Sequence, residues 1–397
     1  MYRLAPAIQH YAWGSSQHIP QLLGIEVTDR PVSEAWFGAH PSAPAVLSGA
    51  SEPTLDALVA ADPHGVLGDD VVARFGEQLP YLLKLIAAAS PVSLQVHPSR
   101  ARARDGFERE SAAGVPIDAP HRSYRDRNHK PELVFALTRL EAMVGFRAPR
   151  RAAELLTGLE SALAEQLHKL LIGDPSPQGV RDAFQWLLAP GTRPHADDVA
   201  ELARACQQRL DAGSPSPRTD RTVIRLHAQY PGDPGAVTSV LLNPVTLQPG
   251  EVLFVPAGAV HSYLEGFAVE LMANSDNVLR AGLTPKHVDV AELLETVDTV
   301  AAPPIRIAPE HVFTSTDVFY APVDDFELSV THLTTDDEAR VPGRGPRIVL
   351  CLEGDVEVRG EHDGALRLSA GQAAFVPASD GPLVATGRGR MVQADVP

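Results

Sequence analysis

The sequence predicts a mainly β protein, two small antiparallel barrels interrupted by an α-helical insertion, on three observations. Short apolar runs punctuated by Pro, Gly and Asp fill much of 30–145, as in PYLLKLIAAASPVSLQVHPS and KPELVFALTRLEAMVGF, and such runs read mostly as strands. From Pro149 the apolar residues recur instead at helical spacing. A glycine, strand and turn unit then occurs twice in the second half of the chain. At 397 residues the chain exceeds what one hydrophobic core usually serves, so more than one domain is expected.

Taken in order, the strand-like region runs to about residue 145. RAAELLTGLESALAEQLHKLLIG then sets Leu156, Leu159, Leu163, Leu167 and Leu170 three and four residues apart, which predicts one amphipathic helix with Pro149 near its start and Gly173 at its end. HADDVAELARACQQRLDAG repeats the pattern with Val199, Leu202, Cys206 and Leu210 and stops at Gly213. GSPSPRTD leads out, and strand signals resume near Thr222. A Pro-rich passage, VAAPPIRIAPE, precedes a last all-β stretch. The expected division is a first barrel from 1–148 and 220–300, a helical insertion over 149–219, and a second barrel over 301–397.

The repeated unit sharpens the fold. In PGEVLFVPAGAVH, Gly250 is followed by five residues, Pro256, one residue, Gly258, two residues and His261; in AGQAAFVPASDGP, Gly371 is again followed by five residues and Pro377. A glycine turn, an apolar strand and a second turn form the repeating unit of a small antiparallel barrel. The first copy resembles the second motif of cupins, G-x5-P-x-G-x2-H, without a mismatch, whereas the second copy lacks the histidine. This implies two cupin-type jelly-roll barrels, one carrying a metal and one metal-free.

Composition excludes several classes of partner. A formal charge of −16 opposes both nucleic acid and anionic membranes. The N-terminus has no apolar signal-like core and no run approaches a membrane span, so a soluble, unexported chain is expected. The two cysteines, Cys206 and Cys351, lie far apart and outside any CxxC spacing, which argues against a disulfide framework or a thiolate zinc site and fits a reducing cytoplasm. A monomer is expected, since no long heptad pattern or apolar edge stands out. An anionic small substrate would need local cations, and Lys84, Lys130, Arg280 and Lys286 each sit in an apolar or turn-rich segment. Each taken alone reads more readily as a side chain snorkelling to water.

Three segments could converge on a metal. In SLQVHP, alternation along a strand points Gln95 and His97 to one side, although such a triplet also suits a half-buried polar face. In YRDRNHKPE, Glu132 leads into the apolar run LVFAL, and a carboxylate there needs a cation, either Lys or Arg or a metal. His261 ends the barrel motif. Two imidazoles, a carboxylate and an amide oxygen without sulfur suit Zn²⁺, with Mn²⁺, Fe²⁺ or Co²⁺ also open. A neutral amide in place of a second carboxylate leaves the ion a better Lewis acid. A fourth passage, VELMANSDNVLRAGLTPKHVDV, carries Glu270, Asp276, Arg280, Thr284 and Lys286 around a turn, and Arg280 between apolar neighbours reads as a directed guanidinium.

In order and spacing, the segments YAWG, PYLLKLI, SLQVHP, YRDRNHKPE, YPGDPG with LLNPVTLQPGEVLFVPAGAVHSYLEG, and ELMANSDNVLRAGLTPK closely resemble the signature blocks of type I phosphomannose isomerases. The resemblance covers residues 1–145 and 225–290; the helical insertion and last β stretch match in position only. It implies a zinc-dependent aldose–ketose isomerase acting on mannose 6-phosphate and fructose 6-phosphate through a cis-enediol. One zinc per chain would be held by Gln95, His97, Glu132 and His261, with Arg280 as the catalytic arginine and Lys130 and Lys286 in the active site. Ser93 and Lys84 join the lysines as candidate phosphate and hydroxyl contacts, with Tyr263 beside them, and Trp13 is either a pocket wall or a cap on the barrel core. The base stays open among Glu270, Asp276, Lys286 and a water on the zinc. A redox cupin would show two histidines one residue apart where this chain has Gln95 and His97, and a non-catalytic sensor could have lost Arg280 or a ligand, which this chain has not. Of the remaining histidines, His129 is expected to point away from Glu132 in a structural hydrogen bond, and His18, His40, His64, His121, His168, His195 and His311 to lie at the surface.

Overall fold

Both copies of the glycine unit fold as their spacing predicts. In the computed structural model, which describes residues 1–334, 338–361 and 364–397, Gly250 (φ 89°) and Gly371 (φ 83°) occupy the left-handed region that suits glycine. Each opens a fully buried four-residue strand, Val252–Val255 and Ala373–Val376. The two strands lie in different antiparallel sheets.

The first sheet has 11 strands. Seven run in the order Ile305–Ile307, Val252–Val255, Glu132–Ala136, His261–Ala273, Tyr81–Ala88, Glu34–Phe37 and Ala7–Gln9. The other four, Leu94–Val96, Leu279–Gly282, Leu140–Phe146 and Leu242–Leu247, form a second leaf. His261–Ala273 belongs to both leaves. Its first residues pair with Gln95 and with Leu140–Phe146, its later ones with Tyr81–Ala88 and Glu132–Ala136, and a register shift separates Tyr263 from Glu265. Gly266 (φ 134°) lies at the bend, where a Cβ would stand 2.8 Å from Arg139 O and Leu140 Cα. Such a bulge re-aims a long strand, and here it closes the leaves around an apolar interior that includes Ile86, Val134, Val144, Leu247 and Leu253.

The second sheet has 10 strands, most of them from residue 310 onward, with Tyr2–Ala5 and Val46–Ser48 added at one end. Its inner face packs on the outer face of the first sheet. Leu83, Leu85, Phe135 and Leu271 meet Leu328, Ile348, Leu350, Phe375 and Val392 in one core. The central strands of the seven-strand leaf are thus buried on both faces, which is why Tyr81–Ala88 and Glu132–Ala136 read as continuous rather than alternating apolar runs.

Helices cover more of the chain than the sequence patterns suggested. Five short helices, among them Leu55–Ala61, Asp69–Phe75 and Arg100–Ala112, lie among the early strands. Ser99 accepts a hydrogen bond from the Arg102 amide (3.3 Å) and starts the last of these. The single helix expected from Pro149 to Gly173 is two, Pro149–Leu156 and Ala162–Gly173, parted at Gly158 (φ 76°). Leu159 is buried in the gap itself, so the leucine spacing survived a break in the backbone. The strand expected near Thr222 is instead the helix Pro217–Gln229, with Pro217 in its first turn and Val223 and Leu226 facing the helical core. That core also takes Leu94, Val96, Leu279 and Ala281, so the helices back the leaf that carries Gln95 and Arg280.

Candidate active site

The two leaves of the first sheet present polar side chains in rows. Directly paired residues of antiparallel strands project to the same side. His261 pairs with Gln95 and Gln95 with Arg280, so these three stand abreast across three strands. On the other leaf Trp36, Lys84 and Glu270 form a second row, and Glu34, Ile86, Met272 and Glu132 share their face by the two-residue period. Both rows open on one cavity of about 510 Å³.

Glu132 is its chemical centre. The carboxylate is 2% exposed, and burying it unpaired would cost several kcal/mol, on the order of 3–5. Four groups converge on it: His97 Nε2 at 3.0 Å from Oε1, Lys130 Nζ at 2.9 Å from the same oxygen, His261 Nε2 at 3.4 Å and the Tyr263 hydroxyl at 3.0 Å from Oε2. Burial would raise its pKa, but the Lys130 ammonium, foremost among the opposing groups, holds it well below the usual carboxylate range.

The imidazoles are oriented from behind. His97 Nδ1 lies 2.7 Å from Asn277 O and His261 Nδ1 lies 3.0 Å from Ala259 O. A carbonyl only accepts, so each Nδ1 carries its proton, and in a neutral ring Nε2 then turns a lone pair toward Glu132. Burial, then the Lys130 ammonium, pushes His97 down to about 4, so its ring is neutral near pH 7. The Lys130 ammonium, 3.4 Å from His97 Nε2, answers the carboxylate and one imidazole from one side, and a metal ion among the three ligand atoms would answer all of them. Ligand atoms about 2.0–2.1 Å from a tetrahedral zinc stand about 3.4 Å apart, close to these separations, and the donor set has zinc chemistry. The potential ligand atoms of His97, Glu132 and His261 all lie within 4.8 Å of one another, and the three residues could hold a metal ion. Gln95 lines the cavity beside them; its amide nitrogen donates to Ser93 Oγ (3.2 Å), which leaves its carbonyl oxygen free.

A second charge cluster sits around Glu270. It is ion-paired with Lys84 at 3.3 Å, both side chains at most 5% exposed. Burial and then the Glu132 carboxylate raise the Glu270 pKa, with Lys84 opposing. Burial alone would lower Lys84, but Glu34, Glu270 and Glu132 together raise it. Glu34 itself is buried and accepts from Trp36 Nε1 at 2.9 Å. Asp276 also faces the cavity and is held 3.4 Å from His40 Nε2; burial would raise it, but His40, Lys130 and Lys84 bring it below its ordinary value. His40 is therefore not the surface residue expected: it is 4% exposed, and its Nδ1 pairs with Ser42 Oγ at 2.9 Å.

The third group is cationic. Arg125, Arg280 and Lys286 line the cavity, and among the described residues none is ion-paired. Burial and then Arg125 lower the Arg280 pKa, while burial, Arg280 and Arg125 lower Lys286. Lys286 Nζ lies over the Tyr11 ring (5.6 Å), which stacks on Trp13 (5.7 Å between centroids).

The turn joining Arg280 to Lys286 is strained and clamped. Leu283 (φ 54°) is the one non-glycine residue with positive φ among those described, and its side chain is buried. Asp233, from the YPGDPG block, accepts from the Gly235 amide (2.7 Å) and the Thr284 amide (3.4 Å). Gly282 (φ 129°) lies against it, where a Cβ would stand 3.0 Å from Asp233 Oδ1 and 3.1 Å from Gly235 Cα. The exit of the helical segment thus holds the turn that follows Arg280.

Of the residues singled out from sequence, Trp13, Lys84, Ser93, Gln95, Lys130, Glu132, His261, Tyr263, Glu270, Asp276, Arg280 and Lys286 all line the cavity, and His97 is buried against Glu132. Trp13 also packs on the barrel interior, so its two readings hold together. Sequence reasoning passed over Glu34, Trp36, Arg125 and Asn277. Alternation in SEAWF puts Glu34 and Trp36 on one face of a strand, and Arg125 stood unremarked inside YRDRNHKPE. Asn277 left no comparable signal, because its role lies in contacts to another loop.

Residues 1–149 match the model of the type I phosphomannose isomerase catalytic domain. The mannose-6-phosphate isomerase of Escherichia coli K12 is 38% identical over 99% of both chains. The human mannose-6-phosphate isomerase is 33% identical over 74% of this chain and 72% of its own. A crystal structure of the Salmonella typhimurium mannose 6-phosphate isomerase, bound to fructose 6-phosphate and zinc, superposes with a TM-score of 0.89 at 35% identity, covering 99% of this chain and 98% of that one. Full-length likeness at this identity, on a fold of the same kind, places the chain in the type I phosphomannose isomerase family.

Proposed function

We propose that the chain interconverts D-mannose 6-phosphate and D-fructose 6-phosphate, using one zinc held by Gln95, His97, Glu132 and His261. The observation that carries this reading is a juxtaposition: imidazole lone pairs and a carboxylate converge at a cavity that also holds three cations without ion-pair partners. One set suits a divalent metal and the other a phosphate, and the cavity volume lies in the range of small-molecule sites.

The reaction moves a proton between C2 and C1 through a cis-enediol, and the oxygens at those carbons exchange carbonyl and hydroxyl character. A zinc ion bound at this site would supply Lewis acidity for the charge that develops on those oxygens. Arg125, Arg280 and Lys286 anchor the phosphate, and Arg280, abreast of Gln95, also reaches the developing oxyanion. Lys84 and Lys130 are less suited to the phosphate, because Glu270 and Glu132 already take up their charge. They serve the sugar hydroxyls instead, with Ser93. Glu270 is the best base: its raised pKa makes it a stronger proton acceptor than Asp276, which His40 stabilises as the anion. It takes the carbon proton from C2 and returns it to C1, while the hydroxyl proton passes from the C2 oxygen to the C1 oxygen, and the reverse reaction retraces both transfers. Tyr263 holds Glu132 in place, and Trp13 closes one side of the pocket.

We also read the protein as a cytoplasmic monomer that binds neither nucleic acid nor membranes. Both cysteines are free and buried, no helix among the described residues is long and apolar enough to cross a membrane, and the charge is −16. The reading is tested by a coupled assay with mannose 6-phosphate before and after chelation of metal. Chelator-sensitive formation of fructose 6-phosphate, restored by zinc, is the expected result; no turnover from folded, zinc-replete protein would refute it.

A further inference from the structure

Asp325 lies outside the cavity, in the loop between the strands Thr316–Phe319 and Glu327–Leu333 of the second sheet, with its side chain 3% exposed. A carboxylate so buried needs partners, and both of its partners come from the first sheet's ligand-bearing segments. Arg100 Nη2 donates to Oδ1 at 2.7 Å, and His129 Nε2 lies 2.9 Å from Oδ2. Arg100 follows His97 by three residues and His129 precedes Glu132 by three. His129 is thus in the structural hydrogen bond its sequence position suggested.

Each link from tether to ligand is stiff. His97 runs through Pro98 and Ser99 to Arg100, and His129 through Lys130 and Pro131 to Glu132. Proline fixes its own φ and restricts the residue before it, which here means His97 and Lys130. A shift of Arg100 or His129 therefore passes to the imidazole and the carboxylate rather than dissipating in the chain. His97 and Glu132 stand 3.0 Å apart, and one carboxylate from another sheet holds the outer ends of both their segments.

We propose that Asp325 is a positioning residue, through which the second sheet sets the spacing of His97 and Glu132 and so the affinity for zinc. This gives the sheet that carries none of the ligands a task in the site, and it rests on the assignment of zinc to Gln95, His97, Glu132 and His261. A plain stabilising ion pair between sheets would behave differently. It would weaken the metal-free fold and leave zinc affinity alone.

The test uses full-length Asp325→Asn, nearly isosteric, and Arg100→Gln, whose parent side chain is 38% exposed and whose loss the fold tolerates more readily. Zinc affinity is measured by competition with a chromophoric chelator, and the urea midpoint of each metal-free protein is measured alongside. The proposal expects zinc to dissociate about tenfold more readily in each variant, in line with losses seen when groups behind metal ligands are removed. It expects the double variant to lose no more than the weaker-binding single one. Zinc affinity within twofold of wild type in both single variants, or losses that simply multiply in the double variant, would overturn it. Failure of the wild type to bind one zinc, or wild-type affinity in His261→Ala, would instead refute the ligand assignment.

Discussion

At the scale of single residues, the site combines buried carboxylates that are answered by cations with cations that are not ion-paired. Glu132 is met by Lys130 and two imidazoles and Glu270 by Lys84, whereas Arg280 has no ion-pair partner among the described residues. Its role is therefore exposed by truncation: Arg280→Ala should lower turnover by about two orders of magnitude or more while zinc content stays near one per chain, a loss typical of a group that meets developing charge. Steady-state kinetics with metal analysis checks this, and unchanged turnover would refute the role. The convergence of the candidate ligands on one cavity was legible in the sequence because alternation, a proline before a buried carboxylate and the glycine motif each constrain a side chain's direction locally. Asn277 was not legible. Its carbonyl orients His97, and its side chain holds the loop before Lys130 by accepting from the Arg125 amide (2.7 Å) and donating to Asn128 O (2.8 Å). Those bonds join residues about 150 positions apart, which no local pattern encodes.

Among the elements, two bends do most to assemble the site. Gly266 lets one strand carry His261 on one leaf and Glu270 on the other, and the Gly282–Leu283 turn aims Arg280 and Lys286. Gly282→Ala should reduce kcat by roughly tenfold or more with zinc content intact, since the new Cβ meets Asp233 and Gly235 at a φ that side chains avoid, and small misplacements of a catalytic group are costly. A variant with wild-type kcat would show that the turn does not position Arg280. Helix placement was the least legible part of the fold. Leu156, Leu159 and Leu163 keep helical spacing across a break at Gly158, and the helix Pro217–Gln229 opens within a Ser/Pro stretch that reads as a linker. Periodicity reports which residues are buried, and a loop can bury a leucine as well as a helix can.

For the whole molecule, the repeat of the glycine unit revealed two β modules, and the shared core between their sheets explains why the central strands carry unbroken apolar runs. That junction also holds a pH-dependent element. Asp395 is 1% exposed; its Oδ2 has no hydrogen-bond partner, and burial pushes its pKa to about 7, with Glu327 adding to the shift and Arg347 opposing it, beside the buried Tyr81 hydroxyl. An unfolded aspartate titrates near 3.9, so between about pH 4 and 7 the folded state keeps a proton that the unfolded state has released. Its contribution is complete below about pH 4, and stability falls as pH rises toward 7, by as much as about 1.4 kcal/mol per pH unit. Asp395→Asn should therefore be the more stable protein at pH 8 and lose this advantage toward pH 4. Urea midpoints at the two pH values check the sign, and a variant less stable than wild type at pH 8 would contradict it.

The central claim is that zinc sits where the His97 and His261 lone pairs meet Glu132, beside Gln95 and facing the cations. The most direct measurement is anomalous diffraction at the zinc edge from crystals of the zinc-loaded protein. One strong peak per chain within bonding distance of Gln95, His97, Glu132 and His261 is the predicted result. A peak elsewhere, or none at that position in zinc-replete crystals, would contradict it.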